Sequence, residues 1–315
     1  MGSPIKSSVP ISFAFNFDND KPIKVIYNGS NLDSFLAAFI VWLEKCDQGV
    51  TNSDLDFFNA DRGAVPSNIY NKQLLCLGFT YKSQTLHTLL KTVSKILIVD
   101  NYSFDTPNSL YLNKPVAYDY KHKIIKNEHL DIVNKSSSYI VWQSLNPNMP
   151  IHPLVEYVQD RELFQFKLNN TREVIASLLS YPLDFGVWNE LFNMPVTSII
   201  KDGIVIRRYQ GELNKHIIKT ANRVNFLEYT DIPVVNCPWF LTSEVLSTLA
   251  QTNLFSLGYY DKYNKRHFSL RSTVKSGFNV QSIAEKLGGG GHFNAAGFTG
   301  DIESHNMLFG NIFAD

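Results

Sequence analysis

Short apolar runs with strand character alternate with helical spacing over the first hundred residues, and this alternation leaves few folds open. Ile23–Tyr27 is rich in β-formers and Asn28–Asp33 is a cluster of turn formers. Ser34 is placed to cap a helix whose broad apolar face carries Phe35, Ala38, Phe39, Trp42 and Leu43. Leu74–Phe79 reads as a second buried strand, Thr85–Val93 as an amphipathic helix, and Ile96–Val99 as a third strand ending at Asp100. Buried strands separated by helices predict a parallel, doubly wound α/β sheet. Such sheets collect ligands beyond the carboxyl ends of their strands. The loops Asn28–Asp33, Gly78–Tyr81 and Asp100–Ser103 are therefore the first candidates for a site.

Downstream the spacing turns helical, over Ser138–Leu145, Pro153–Val158, Thr171–Leu179 and Asp184–Phe192. Val196–Val224 reads as one long helix interrupted only by Gly203 and Gly211, each costing roughly 1 kcal/mol relative to Ala. Strands are expected at Phe226–Tyr229, Pro233–Asn236, Phe255–Tyr260 and Arg266–Leu270, and helices at Ser243–Ala250 and Val280–Leu287. A chain of 315 residues accommodates about two domains. The partition is an N-terminal arm (1–20), a parallel-sheet α/β domain (21–195), a helical connector (196–224) and a smaller α/β domain (225–315).

Lys and Arg total 29, as do Asp and Glu, so the formal net charge is zero. This excludes the global positive field of a non-specific nucleic-acid binder. The aromatic content, with 22 Phe and 15 Tyr, excludes global disorder. Cys46, Cys76 and Cys237 are too few and too scattered for a disulfide framework or a thiolate zinc site. No apolar run approaches the ~18 residues of a membrane span; the longest lies around Phe35–Leu43. The N-terminus lacks a secretory apolar stretch and contains no arginine, and Gly2 is followed by Lys6 where a myristoylation signal needs Ser or Thr. The expectation is an intracellular protein in a reducing compartment, the cytosol or the mitochondrial matrix. Histidine spacings of zinc hydrolases, a Walker loop, Gly-x-Ser-x-Gly and a dinucleotide fingerprint are all missing.

The strongest local motif is Gly288-Gly289-Gly290-Gly291-His292-Phe293-Asn294-Ala295-Ala296-Gly297-Phe298. Glycines let a backbone turn tightly and bring N–H groups to an anion, and a short helix after them would aim its positive end at the same point. His292 and Asn294 add donors. Upstream, Phe268-Ser269-Leu270-Arg271-Ser272 is a strand ending in a guanidinium suited to bidentate phosphate contact. The bland alternatives are a flexible linker and a surface arginine.

With these pieces the chain resembles a DHH-family phosphoesterase, in which a DHH domain precedes an associated C-terminal domain marked by Gly-Gly-Gly-His-x-x-Ala-Ala-Gly. The similarity runs from about Ile23 to Phe298. It includes Asp160-Arg161-Glu162-Leu163-Phe164 and Tyr181-Pro182-Leu183-Asp184-Phe185-Gly186-Val187-Trp188, which resemble stretches kept in one subgroup. The resemblance implies hydrolysis of phosphodiesters by a pair of Mn²⁺ ions between the domains.

The metal positions depart from that pattern. The family's first motif resembles His-Gly-Asn-x-Pro-Asp-Gly, whereas here it reads Asn28-Gly29-Ser30-Asn31-Leu32-Asp33-Ser34. The bridging aspartate after the next strand is Gly78. The Asp-His-His triplet is Asp100-Asn101-Tyr102, and a later carboxylate ligand corresponds to Asp160. A two-metal site needs a shared anionic ligand between ions about 3.5–4 Å apart. Asn28 and Asn101 are neutral amides, Gly78 offers nothing and Tyr102 is bulky. The remaining Asp33, Asp100 and Asp160 would hold at most one weak, hydrated ion such as Mg²⁺, or serve as loop caps or partners of Lys82 or Arg161.

The expectation is thus a catalytically inactive relative with its ancestral Mn²⁺ pair lost and no other cofactor, acting as a structural or binding subunit of a larger assembly of protein partners. One alternative is a nucleotide or phosphate sensor using Arg271, Gly288, Gly289, Gly290, Gly291, His292 and Asn294. Another is a residual one-metal phosphodiesterase acting on short oligonucleotides.

Overall fold

The structure, a computed structural model, describes residues 9–100, 117–118, 124–125 and 135–302. Two units divide the chain between Arg207 and Arg208. The first begins with α1 (Ile11–Ala14), β1 (Ile23–Tyr27), α2 (Leu32–Gln48), β2 (Leu55–Asn59), β3 (Gln73–Leu77), α3 (Ser83–Leu90) and β4 (Lys95–Val99). It continues through β5 (Ala117–Tyr118), β6 (Ile124–Ile125), α4 (Ser137–Leu145), α5 (Pro153–Glu162), α6 (Thr171–Leu179), α7 (Phe185–Phe192) and α8 (Val196–Lys219), the helix in which the division falls.

The sheet of this unit has the order β2-β1-β3-β4-β5-β6, with the first four strands parallel and the last two antiparallel. Parallel strands must be covered on both faces, and alternate residues divide accordingly. Val25, Leu75, Leu77, Leu97 and Val99 join one core with Phe35, Phe39 and Trp188. Ile26, Leu74, Cys76, Ile96 and Ile98 join another with Leu89 and Val93. Each large side chain buried this way contributes roughly 1.5–3 kcal/mol.

The second unit contains β7 (Asn222–Phe226), β8 (Tyr229–Asn236), α9 (Thr242–Leu249), β9 (Ser256–Lys262), β10 (Lys265–Arg271), α10 (Val280–Lys286), β11 (Gly290–His292) and β12 (Ala295–Asp301). Its sheet order is β11-β12-β10-β9-β8-β7, antiparallel except where β8 runs parallel to β9. Leu257, Phe268, Leu270, Ala296 and Phe298 pack with Val280, Ile283 and Ala284 of α10. On the opposite face Ser256 donates its hydroxyl to Leu246 O of α9 at 2.7 Å.

The expected class, α/β with a parallel sheet followed by a smaller α/β domain, is the architecture observed. Three local expectations are corrected and one strand is added. Residues 9–20 are not a free arm, because Ile11, Phe15 and Phe17 are buried in the first core and the Gln73 amide ties Asp18 N, Asp18 O and Lys21 O to the sheet. Leu55–Asn59 is a strand that the pattern hides, since its Asp56 is held by Lys24 at 2.7 Å. The connecting helix ends at Lys219, and Val224 belongs to β7. Phe226–Tyr229 is not one strand: Phe226 ends β7, Tyr229 opens β8, and the turn between them passes through Leu227, which takes a positive φ. Among the described residues no helix is long and apolar enough to cross a membrane.

Candidate functional site

The register places Tyr27 opposite Leu77 and Leu77 opposite Val99. Asn28, Gly78 and Asp100 therefore stand side by side where three adjacent parallel strands end. These are the first residues of the sequence-predicted loops, and Asn59 ends β2 one row earlier, opposite Tyr27.

Each group in this row has local work. Asn28 Oδ1 accepts from Ser30 N at 2.9 Å, closing a turn on its own loop. Asn59 Oδ1 accepts from Gly29 N at 2.8 Å and from Asp61 N at 3.1 Å. Ser34 is not the cap of α2. That role falls to Asn31, whose Oδ1 accepts from Ser34 N at 2.8 Å. Ser34 instead joins two strand ends, accepting from Asn28 N at 2.8 Å and donating to Leu77 O. Gly78 has φ +64° and its N–H donates to Val99 O at 2.8 Å. Asp100 is buried, and after burial itself its charge adds to the forces that push the Cys76 thiol up to about 12. Asn101 and Tyr102 lie outside the described residues.

Asp33 and Asp160 each accept three hydrogen bonds. Asp33, only 2% exposed, receives Ser137 N at 2.8 Å, Ser138 N at 3.1 Å and the Ser138 hydroxyl at 2.5 Å. A carboxylate thus caps the N-terminus of α4, where the helix dipole and the free N–H groups both favour negative charge. Asp160 receives Lys167 N at 2.8 Å, Leu168 N at 3.1 Å and the Thr171 hydroxyl at 2.5 Å, fixing the turn between α5 and α6. Burial works to raise its pKa, but these three donors and the Lys167 charge outweigh it and hold the carboxyl below the ordinary range. Neither aspartate pairs with Lys82 or Arg161; the Arg161 guanidinium instead meets Glu162 at 2.9 Å. Among the described residues no three His, Cys, Asp or Glu side chains are grouped so as to hold a metal ion.

The glycine motif is built differently from the expected cradle. Gly288 N donates to Glu285 O at 3.1 Å and Gly289 N to Ala284 O at 2.8 Å, so the run begins by closing the C-terminus of α10. That is the negative end of the helix dipole. The run leads into a strand, not a helix. Gly290–His292 is strand β11, which turns through Phe293 and Asn294 into β12. The reason is packing: a Cβ on Gly289 would lie 2.1 Å from Gly297 O, and one on Gly291 2.5 Å from Ala296 Cα. A Cβ on Gly290 meets nothing within 4 Å.

Arg271 and His292 nevertheless share a surface. Arg271 is opposite Ala295 and Ala295 opposite His292, and opposed residues of antiparallel strands project to one face. Arg271 Nη1 donates to Leu270 O at 2.9 Å, and burial lowers its pKa from the ordinary value. Among the described residues no carboxylate lies within ion-pair distance of it. Asn294 ties the hairpin's turn to the residue after β10: its Oδ1 accepts from the Ser272 hydroxyl and its carbonyl from Ser272 N, both at 3.1 Å.

Sequence reading did not assign these bonds: it took Ser34 as a helix cap and Ser138 and Thr171 as helix starts, and gave Asn59 no role.

Residues 242–309 match the DHHA1 domain family. An uncharacterized protein of Acanthamoeba polyphaga mimivirus is 26% identical over 318 residues, covering 94% of this chain and 70% of that protein. RecJ of Thermus thermophilus, solved in complex with Mn²⁺, superposes with a TM-score of 0.52 at 14% identity, over 96% of this chain and 54% of RecJ. PggH of Vibrio cholerae, a pGpG-specific phosphodiesterase, gives a TM-score of 0.46 at 16% identity, over 91% of this chain and 96% of PggH.

Proposed function

We propose that this chain, which has the phosphoesterase-like fold of the DHH family and carries a DHHA1 domain at 242–309, is a binding or structural protein that does not hydrolyse phosphodiesters. The observation that carries this reading is the state of Asp33. Its two oxygens accept three hydrogen bonds from the start of α4, leaving a buried cap where the family pattern has a metal ligand. The residues present do not fit a Mn²⁺ pair, because such a pair needs a shared carboxylate and Gly78 has no side chain. Asp160 is similarly committed, and Asn28 spends its amide oxygen on its own turn.

A fold kept without its ligands is useful as a surface, so its partners are other proteins in a larger assembly. Three unpaired cysteines fit a reducing compartment. A second reading, a nucleotide or phosphate sensor, is favoured by Arg271, a half-buried guanidinium on the same face as His292.

The deciding experiment assays the purified chain with Mn²⁺ against short single-stranded DNA, short RNA and pGpG. No turnover above the metal-only control is expected. Mn²⁺-dependent turnover that disappears in Asp33→Asn would overturn the proposal. Titration with AMP, pAp and a dinucleotide then separates the two readings: a sensor is stabilised by at least one of them, and loses that response in Arg271→Ala.

A further inference from the structure

We propose that the loop 163–170, between α5 and α6, is a docking knob for an acidic segment of a partner protein that carries large apolar side chains. This names the kind of partner that the assembly reading leaves open, and rests on that reading. Phe164 follows the C-cap of α5, with its N–H on Arg161 O at 3.0 Å and its φ at +55°. Helices commonly close there with glycine, because a Cβ is strained in the left-handed region. Phe166 adopts the same region at φ +49°. For bulky side chains this conformation is an outlier. Burial does not offset it at 164, since Phe164 is 78% exposed. Asp160 imposes the conformation. Its carbonyl accepts from Gln165 N at 2.9 Å and Phe166 N at 3.3 Å, and its carboxylate takes Lys167 N and Leu168 N. Tyr157 fastens the far side, donating its hydroxyl to Asn169 O at 3.0 Å.

Arg172 is also set against its local preference. It lies in the first turn of α6, where the helix dipole disfavours a cation, and its exposed guanidinium stacks on the Phe166 ring at 4.1 Å. Residues 163–172 include Lys167 and Arg172 and no Asp or Glu. Among the described residues neither cation has a carboxylate within ion-pair distance, whereas the nearby Arg161 meets Glu162. Exposed side chains held against local preference mark a surface shaped for more than the fold. Two cations without ion-pair partners, beside exposed Phe164 and Leu168, select an acidic partner with large apolar side chains. Nucleic acid fits less well. The Phe164 and Phe166 rings stand at 88° to each other with centroids 5.4 Å apart, and a base-stacking track needs ring faces that successive bases can share.

The test uses the full chain and has two parts. Phe164→Gly is expected to leave the melting temperature unchanged or to raise it, since strain is lifted and little burial is lost. A fall of more than about 1 °C, or insoluble protein, means that the ring serves the fold and overturns the proposal. Fluorescence anisotropy then follows three labelled probes: a short peptide of Asp, Glu, Leu and Trp, the same peptide with Lys in place of its acids, and oligo-dT. The acidic peptide is expected to bind the unaltered chain about tenfold more tightly than its lysine counterpart. Phe164→Gly should weaken it about tenfold, and Arg172→Ala less. Absent binding of the acidic peptide, equal binding of the lysine peptide, equal binding by Phe164→Gly, or oligo-dT binding that Phe164→Gly abolishes each overturns the proposal. Mn²⁺-dependent turnover by the unaltered chain would sink the assembly reading, whereas these outcomes sink only this one.

Discussion

At the ends of β1, β3 and β4 the backbone frame of a DHH fold is kept while the side chains have changed. At the β11–β12 hairpin the reverse holds: the letters of the motif are kept, but most of them have a packing reason. Asp33 and Asp160 are the residues a ligand search picks first, and both act as caps for neighbouring segments. Gly289 and Gly291 are the residues a phosphate search picks first, and both sit where no Cβ fits. Retention of a motif therefore says little by itself. What separates the two regions is how the groups are engaged: Asp33 and Asp160 each already accept three hydrogen bonds, while the surface beside the hairpin still presents Arg271.

The largest effects should come from the hairpin. Gly289→Ala and Gly291→Ala each drive a methyl into backbone, 2.1 Å and 2.5 Å from the nearest atoms. Each is expected to cost about 3 kcal/mol in urea denaturation, at the upper end for overpacked sites. A cost below about 1 kcal/mol would mean that these glycines are not there for packing, and the contrast between the regions would fail.

Next comes Asp33→Asn, which keeps the shape but turns an NH₂ group toward the N–H groups of α4 and removes a charge from the helix start. A loss of about 2–3 kcal/mol is expected. In a metal site carboxylates are crowded, and neutralising one without metal relieves repulsion. A neutral or stabilising result would thus move Asp33 back among the ligands.

A smaller effect is expected from pH. His152 caps α5: Leu154 N–H donates to Nδ1, so the proton sits on Nε2, which faces Phe192 O at 3.1 Å. Burial pushes this ring down to about 4 from 6.5, against the opposing effect of the Phe192 carbonyl. A depressed pKa means that the unfolded chain takes up the proton first. The contribution is therefore whole above about pH 6.5 and is lost as pH falls toward 4, by up to about 2–3 kcal/mol. Asp160, also depressed, extends the loss further into acid. Replacing His152 by Asn keeps a capping oxygen and removes the titration, so the slope of stability between pH 6.5 and 4 should flatten. An unchanged slope would show that other groups carry it.

Much of the fold was legible because buried parallel strands are written as unbroken apolar runs, as in Leu74–Leu77 and Ile96–Val99. β2 was not, since an edge strand covered less completely tolerates Asp56. The positions of the strand-end site were legible too, as residues following those runs. Their bonding was not, because Asp33 meets Ser137 and Ser138 across more than a hundred residues of chain. For the hairpin the sequence misled: four glycines after a helix fit a cradle or a helix stop equally, and only the Gly297 and Ala296 backbones choose between them.

The smallest expected effect is the one that most sharpens the comparison. Gly290 lies between two glycines that tolerate no side chain, yet a Cβ there meets nothing within 4 Å and its φ is not in the left-handed region. Gly290→Ala should change stability by no more than about 0.5 kcal/mol, and Gly290→Val should be no worse, since β-branched residues suit a strand. Gly290 is opposite Gly297 on the face that carries His292 and Arg271, so an added side chain stands over any ligand held there. The variant therefore tests for a ligand without disturbing the fold. If AMP or a dinucleotide protects the unaltered chain and not Gly290→Val, at equal stability, that surface binds phosphate and the hairpin is more than packing. Equal responses from both chains, or none from either, would leave the four glycines with structural work alone.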